Sequence, residues 1–121
     1  MQYESTRTVS SECFEGVRFT IARMTFGRRI ELMRQVRQLS SRLEYESAGI
    51  SMSDRVNASL TAAEIDELYL RWGLISIEGL DLDGRPAETE SLLLCGPESL
   101  CREVIGHIKR ECALTEEERK N

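Results

Sequence analysis

Hydrophobic and polar positions change their period several times along this chain. Val17, Phe19 and Ile21 alternate with Arg18, Thr20 and Ala22, and a period of two describes a half-buried strand. Residues ahead of Gly16 are candidates for a partner strand across a turn at Glu15-Gly16. From Arg28 the period becomes 3.6. Leu32, Val36, Leu39 and Leu43 stand at i, i+4, i+7 and i+11, which puts them on one narrow helical stripe. Arg34 and Arg37 fall on roughly the opposite face. Thr25 is a candidate N-cap for this helix and Gly49 a candidate C′ residue. In the next region Ser53-Asp54 can open a helix, and Thr61-Ala62-Ala63-Glu64 forms a capping box. That box either starts a helix or lies inside a longer one, so residues 50–60 are open between helix and loop. Ile65, Leu68, Tyr69 and Trp72 then give the i, i+3, i+4, i+7 stripe. Helices over 28–48 and 54–72 with a short connection predict an antiparallel helical hairpin.

After Gly73 the period returns to two. Ile75 and Ile77 share one face, Leu80 and Leu82 the other, and the change of parity predicts a bulge or bend at Gly79. Asp83-Gly84 signals a tight turn, and Pro86 restricts the following residues to an edge or loop. Thr89 is a candidate cap for a short helix through Leu94. Gly96-Pro97 restarts the chain, and Leu100, Cys101, Val104, Ile105, Ile108 and Cys112 give the next helix a broad apolar face. A second capping box, Thr115 to Glu118, follows. The pattern predicts an α+β fold that is mainly helical: a helical hairpin, a small antiparallel sheet and a C-terminal helix. It forms a single domain over 1–121, with residues 1–10 and 115–121 as loose chain.

Composition agrees with a folded domain. The chain has 121 residues, 40% hydrophobic and 31% charged, enough for a core without disulfides or metal. No apolar run approaches the ~20 residues that span a membrane, and MQYESTRTVSSECF lacks the basic start and apolar segment of a secretion signal. The expected location is the cytoplasm. Charge is uneven. Residues 17–42 hold seven arginines against Glu31 alone, a local +6, which leaves −11 for the remainder of a chain of net charge −5. Such polarity suits an acidic partner or nucleic acid on the basic helix 28–42. It also suits basic and acidic parts facing each other within the fold or between copies. The basic stretch has no interleaved aromatics to stack on bases, so nucleic acid is the less favoured partner.

Candidate chemistry is sparse. Asp81-Leu82-Asp83-Gly84 begins like a calcium loop, but the twelfth position is Leu92 where the loop needs glutamate, so it reads as a turn. Cys13, Cys95, Cys101 and Cys112 form no CxxC pair, and the default for them is buried free thiols. His107 is the one histidine and lies on a different side of its helix from Cys101, which removes a Cys–His dyad within that helix. Glu116 to Glu118 sit where carboxylates favour a helix start. No glycine-rich phosphate loop is present. The reading is a non-enzymatic interaction module that needs no cofactor and no metal.

Several pieces in order carry a family resemblance: Trp72-Gly73, then IEGLDLDGRPA, Gly96-Pro97, LCREVIGHIKREC and EEERKN, with VRFTIARMTFGRRIELMRQVRQL ahead of them. Over about residues 17–121 the chain resembles the small tail assembly chaperones of long-tailed bacteriophages and prophages. The resemblance implies binding to the tape-measure protein, with the tail-tube protein as a further partner, in the host cytoplasm. It also implies a second, longer product made by ribosomal frameshifting, and Lys120-Asn121 is a dipeptide that a slippery heptamer encodes. The interaction residues proposed from the pattern are Arg34 and Arg37 with the stripe Leu32, Val36, Leu39 and Leu43. The stripe has two uses open to it, the fold's own core or the client. The arginine face pairing with the acidic C-terminal half of another copy would give head-to-tail homo-oligomers. The alternative reading is a small nucleic-acid-binding accessory protein, with binding that weakens steeply with salt.

Overall fold

The computed structural model describes the backbone of residues 1–120 and the side chains of residues 1–113. The elements are β1 (Thr6–Ser10), β2 (Arg18–Ala22), α1 (Phe26–Ser47), α2 (Met52–Gly73), β3 (Leu74–Glu78), β4 (Asp81–Leu82), β5 (Arg85–Pro86), α3 (Thr89–Cys95) and α4 (Glu98–Lys120). This is the α+β architecture of helical hairpin, small antiparallel sheets and C-terminal helix that the periods predict. The residues group into two compact units, one of Met1–Thr25 with Tyr69–Asn121 and one of Phe26–Leu68.

The first unit is built on an antiparallel three-stranded sheet in the order β1-β2-β3. Thr6 pairs with Ala22 and Ser10 with Arg18, and the β2–β3 register shifts between Thr20 and Ile21. Thr6–Ser10 fall among the residues expected as loose chain, yet they supply the partner strand that was a candidate ahead of Gly16. They form a strand because β-branched Thr6, Thr8 and Val9 suit the pleat and β2 supplies their hydrogen-bond partners. Thr8 and Thr20 add a cross-strand contact of 2.9 Å between hydroxyl oxygens. The period-two reading of β2 holds: Phe19 and Ile21 are buried, and Arg18 is exposed. α4 packs on β2, and α3 lies against β3 and β4. Phe19, Ile21, Leu70, Leu92, Leu100, Val104 and Ile108 are fully enclosed, each worth about 1.5–3 kcal/mol over exposure.

Local chemistry sets the connections. Asp83 (φ 52°) and Gly84 (φ 81°) both adopt the left-handed conformation, the pair of angles a two-residue I′ hairpin needs, and β4 and β5 pair across them. Gly79 (φ 81°) follows β3 at a place where a side-chain Cβ would run into the Gly16 carbonyl oxygen. α3 is capped by Glu88 in a box with Ser91, so Thr89 is its first residue and not its cap. Cys13 and Cys95 are exposed, and Cys101 and Cys112 are half-buried, where buried thiols were expected. Leu100, Val104 and Ile108 occupy the centre of the α4 face in their place. The backbone of α4 continues to Lys120. The side chains of the Thr115–Glu118 box and Asn121 lie outside the described residues.

The second unit is the hairpin of α1 with the first seventeen residues of α2. α2 runs unbroken through Thr61, so residues 52–60 are helix and the Thr61–Glu64 box lies inside it. Thr61 instead donates its hydroxyl to Glu46 Oε1 of α1 at 2.6 Å. Arg42 reaches Glu64 at 2.7 Å. These two links, Arg42 to Glu64 and Glu46 to Thr61, run in opposite senses along the helices and set the antiparallel alignment.

Candidate functional site

Each helix of the hairpin has an inner face, fixed by the links across it, and an outer face. Leu39, Leu43 and Glu46 stand at i, i+4 and i+7 on α1, so they share a side, and Glu46 bonds to α2. The predicted stripe therefore faces inward: Leu32 is buried, and Val36, Leu39 and Leu43 are half-buried. Arg34 and Arg37 are exposed. The structure does not bring the six predicted interaction residues together on one surface. Four belong to the packed side of α1 and two to its open side.

What does lie beside the two arginines is a second apolar stripe. Phe26 is 74% exposed, Met33 62% and Ile30 38%. At i, i+4 and i+7 they fall on one line, and Arg37 extends it at i+11, with Arg34 on its flank. The line lies roughly 120° round the helix from the leucine stripe at 3.6 residues per turn. Reading the sequence for its strongest apolar stripe selects Leu32, Val36, Leu39 and Leu43 and passes over this weaker one. The spacing 26, 30, 33, 37 was available as a signal. The surface joins a contiguous apolar strip to two guanidinium groups, a combination that holds an amphipathic helix bearing carboxylates on its margin. Other arginines of the same helix are less available. Arg29 is buried, Arg28 is half-buried, and Arg42 is engaged with Glu46 and Glu64.

The first unit contains a polar cluster that spacing cannot show. Glu103 on α4 accepts the Ser11 hydroxyl and the Glu12 backbone N–H, each at 2.7 Å. Ser11 Oγ in turn accepts the backbone N–H groups of Cys13 and Phe14. Glu103 thus ties the β1–β2 loop to α4. Burial works against its charge, but the bonds from Ser11 and Glu12 and the nearby His107 outweigh burial and hold its pKa below the usual 4.5. His107 packs its ring on Phe19 at 5.5 Å between centroids, with Nδ1 buried and unpartnered. Burial, then Arg110 and Arg7, push its pKa below 6.5.

Cys13 sits on the same loop, and its pKa is raised above the ordinary 9.0 by burial, by the Glu103 charge and hydrogen bond, and by Glu12. A thiol held protonated is the opposite of an activated nucleophile. The Cys101 thiol lies 3.6 Å from the Leu92 carbonyl oxygen and is also pushed up, chiefly by burial. Among the described residues no three His, Cys, Asp or Glu side chains converge as metal ligands. No helix among them is long and apolar enough to cross a membrane.

No protein-family model, curated protein or solved structure matches the chain. The functional reading stands on its residues and surfaces.

Proposed function

We propose that this chain is a non-enzymatic tail assembly chaperone of a long-tailed phage or prophage. In this reading it works in the bacterial host cytoplasm, binds the tape-measure protein and assists tail-tube assembly around it. The observation that carries the reading is the open face of α1, where Phe26, Ile30 and Met33 are displayed beside Arg34 and Arg37. A client made of long amphipathic helices has apolar stripes edged with charge that aggregate when unpaired. A chaperone for it needs a complementary strip, which this helix displays, and it needs no reactive group. The order of motifs from Trp72-Gly73 to EEERKN supports the identity of the client.

The test is aggregation of the tape-measure protein encoded in the same tail gene cluster, followed by light scattering with increasing amounts of the chain. Suppression near stoichiometric amounts is expected, together with loss of suppression in the Phe26→Ser, Met33→Ser double variant. Aggregation unaffected by the intact chain contradicts the reading. The nucleic-acid alternative draws on fewer open charges, since Arg29 and Arg42 of the basic helix 28–42 are already occupied by burial or ion pairing. Its signature would be binding to duplex DNA or to RNA that weakens steeply with salt.

A further inference from the structure

We propose that the open face of α1 selects its clients by charge and by register. It takes an amphipathic helix whose apolar stripe is followed, one turn on, by a carboxylate, and it rejects a helix with lysine or arginine at that place. The inference rests on the reading of this face as the client surface and adds which helices that surface accepts.

The selection follows from the order of side chains along the face. Phe26, Ile30 and Met33 are exposed on one line, and Arg37 continues that line one turn beyond Met33, with Arg34 on its flank. Arg34 and Arg37 take part in no ion pair or hydrogen bond among the described residues. The other arginines of α1 are engaged: Arg28 and Arg29 have partners within the fold, and Arg42 is paired with Glu46 and Glu64. The open cations of this helix are therefore the two that border the apolar line.

The carboxylates of α1 set the limits of the basic stretch. Glu46 is turned to α2, where it accepts the Thr61 hydroxyl. Glu31 stands roughly 60° beyond Arg34, on the side away from the line, at 3.6 residues per turn. Glu44 lies on the line itself, seven residues past Arg37 and so about 10 Å further along the helix. Read in order, the line is apolar, then basic, then acidic. A complementary helix is apolar, then acidic, and carries no carboxylate two turns after that.

The two kinds of side chain divide the work. Apolar burial is non-directional and accepts any stripe of suitable width. Choice comes from the arginines. Each exposed arginine–carboxylate pair is worth a factor of about two to five in affinity. A lysine in the carboxylate's place turns that attraction into repulsion, and specificity uses both. Placing the carboxylate opposite Glu44 forfeits the gain and adds a like-charge contact.

The experiment is fluorescence anisotropy with three labelled helical peptides of equal length and the same apolar stripe, titrated with the full chain. The first carries glutamate four residues beyond each end of the stripe, the second lysine at those places, and the third its glutamates eleven residues beyond each end. For the parent chain, the first peptide should bind at least about tenfold tighter than the second and about threefold tighter than the third, with both margins shrinking as salt rises. The Arg34→Glu, Arg37→Glu variant, changed at exposed positions, should keep its far-UV circular dichroism and prefer the lysine peptide. Equal affinity for the first and second peptides, equal affinity for the first and third, or an unchanged preference in the variant would each overturn the selection and leave the client surface standing. The surface falls as well if the parent binds none of the three, or if the Phe26→Ser, Met33→Ser variant binds them like the parent.

Discussion

Glu103 is a single carboxylate that holds two backbone segments in place, bonding to residues 91 and 92 positions earlier in the chain. Its own pKa and that of His107 are both lowered in the fold, so the unfolded chain binds protons at both sites more readily than the folded one. The stability this confers is complete above the ordinary His107 value of 6.5. It declines as pH falls through the lowered folded value of His107, and again below 4.5 as Glu103 is protonated. Urea midpoints measured against pH should show this acid-side loss in both steps. His107→Asn should remove the upper step and leave the lower, and Glu103→Gln should cost about 1 kcal/mol at neutral pH. A midpoint independent of pH from 7 down to 4 would contradict the assignment of roles. Gly79 is constrained more tightly. Its positive φ and the nearby Gly16 oxygen leave no room for a methyl group, so Gly79→Ala should lower stability by about 2 kcal/mol or more, strain and clash adding.

The hairpin depends on a few polar links between elements. Thr61 is 2% exposed and donates to the Glu46 carboxylate, so Thr61→Ala leaves a half-buried charge with one bond fewer and should cost about 1.5–2 kcal/mol. Thermal unfolding followed by circular dichroism reads this directly, and an unchanged transition would mean that water substitutes for the hydroxyl. Elements of this kind were readable in the sequence to the extent that their cause is local. The Asp83-Gly84 turn, the alternation in β2, the leucine stripe of α1 and the apolar face of α4 each follow from neighbours within one or two turns of chain. β1 was only partly readable: a partner strand ahead of Gly16 was a candidate, but Thr6–Ser10 carry one strong apolar residue, owe their conformation to β2 and were assigned to loose chain. The capping box at Thr61 misleads as a start signal for a related reason. A threonine three residues before a glutamate has the same spelling whether its hydroxyl caps its own helix or bonds to a neighbouring one. The candidate site was half legible. Arg34 and Arg37 are where the period places them, but Phe26, Ile30 and Met33 were masked by a stronger stripe on the same helix. The Glu103 cluster joins residues about ninety positions apart and leaves no periodic trace.

At the scale of the molecule the chain offers surfaces. The open side of α1 combines apolar and basic residues, the open side of α2 displays Met52, Val56 and Leu60, and the Cys13 and Cys101 thiols are held protonated. Those properties suit a protein whose work is to cover another protein for a time. The most direct measurement is the affinity of the full chain for a tape-measure protein, the client that the proposed function assigns, by calorimetry at physiological salt. The Phe26→Ser, Met33→Ser and Arg34→Glu, Arg37→Glu pairs are compared with Val56→Glu. The account predicts that both α1 pairs weaken binding by about tenfold or more, each losing at least about 1.4 kcal/mol, and that Val56→Glu retains the affinity of the parent chain. Equal affinity in all four proteins, or no binding by the parent, would contradict it.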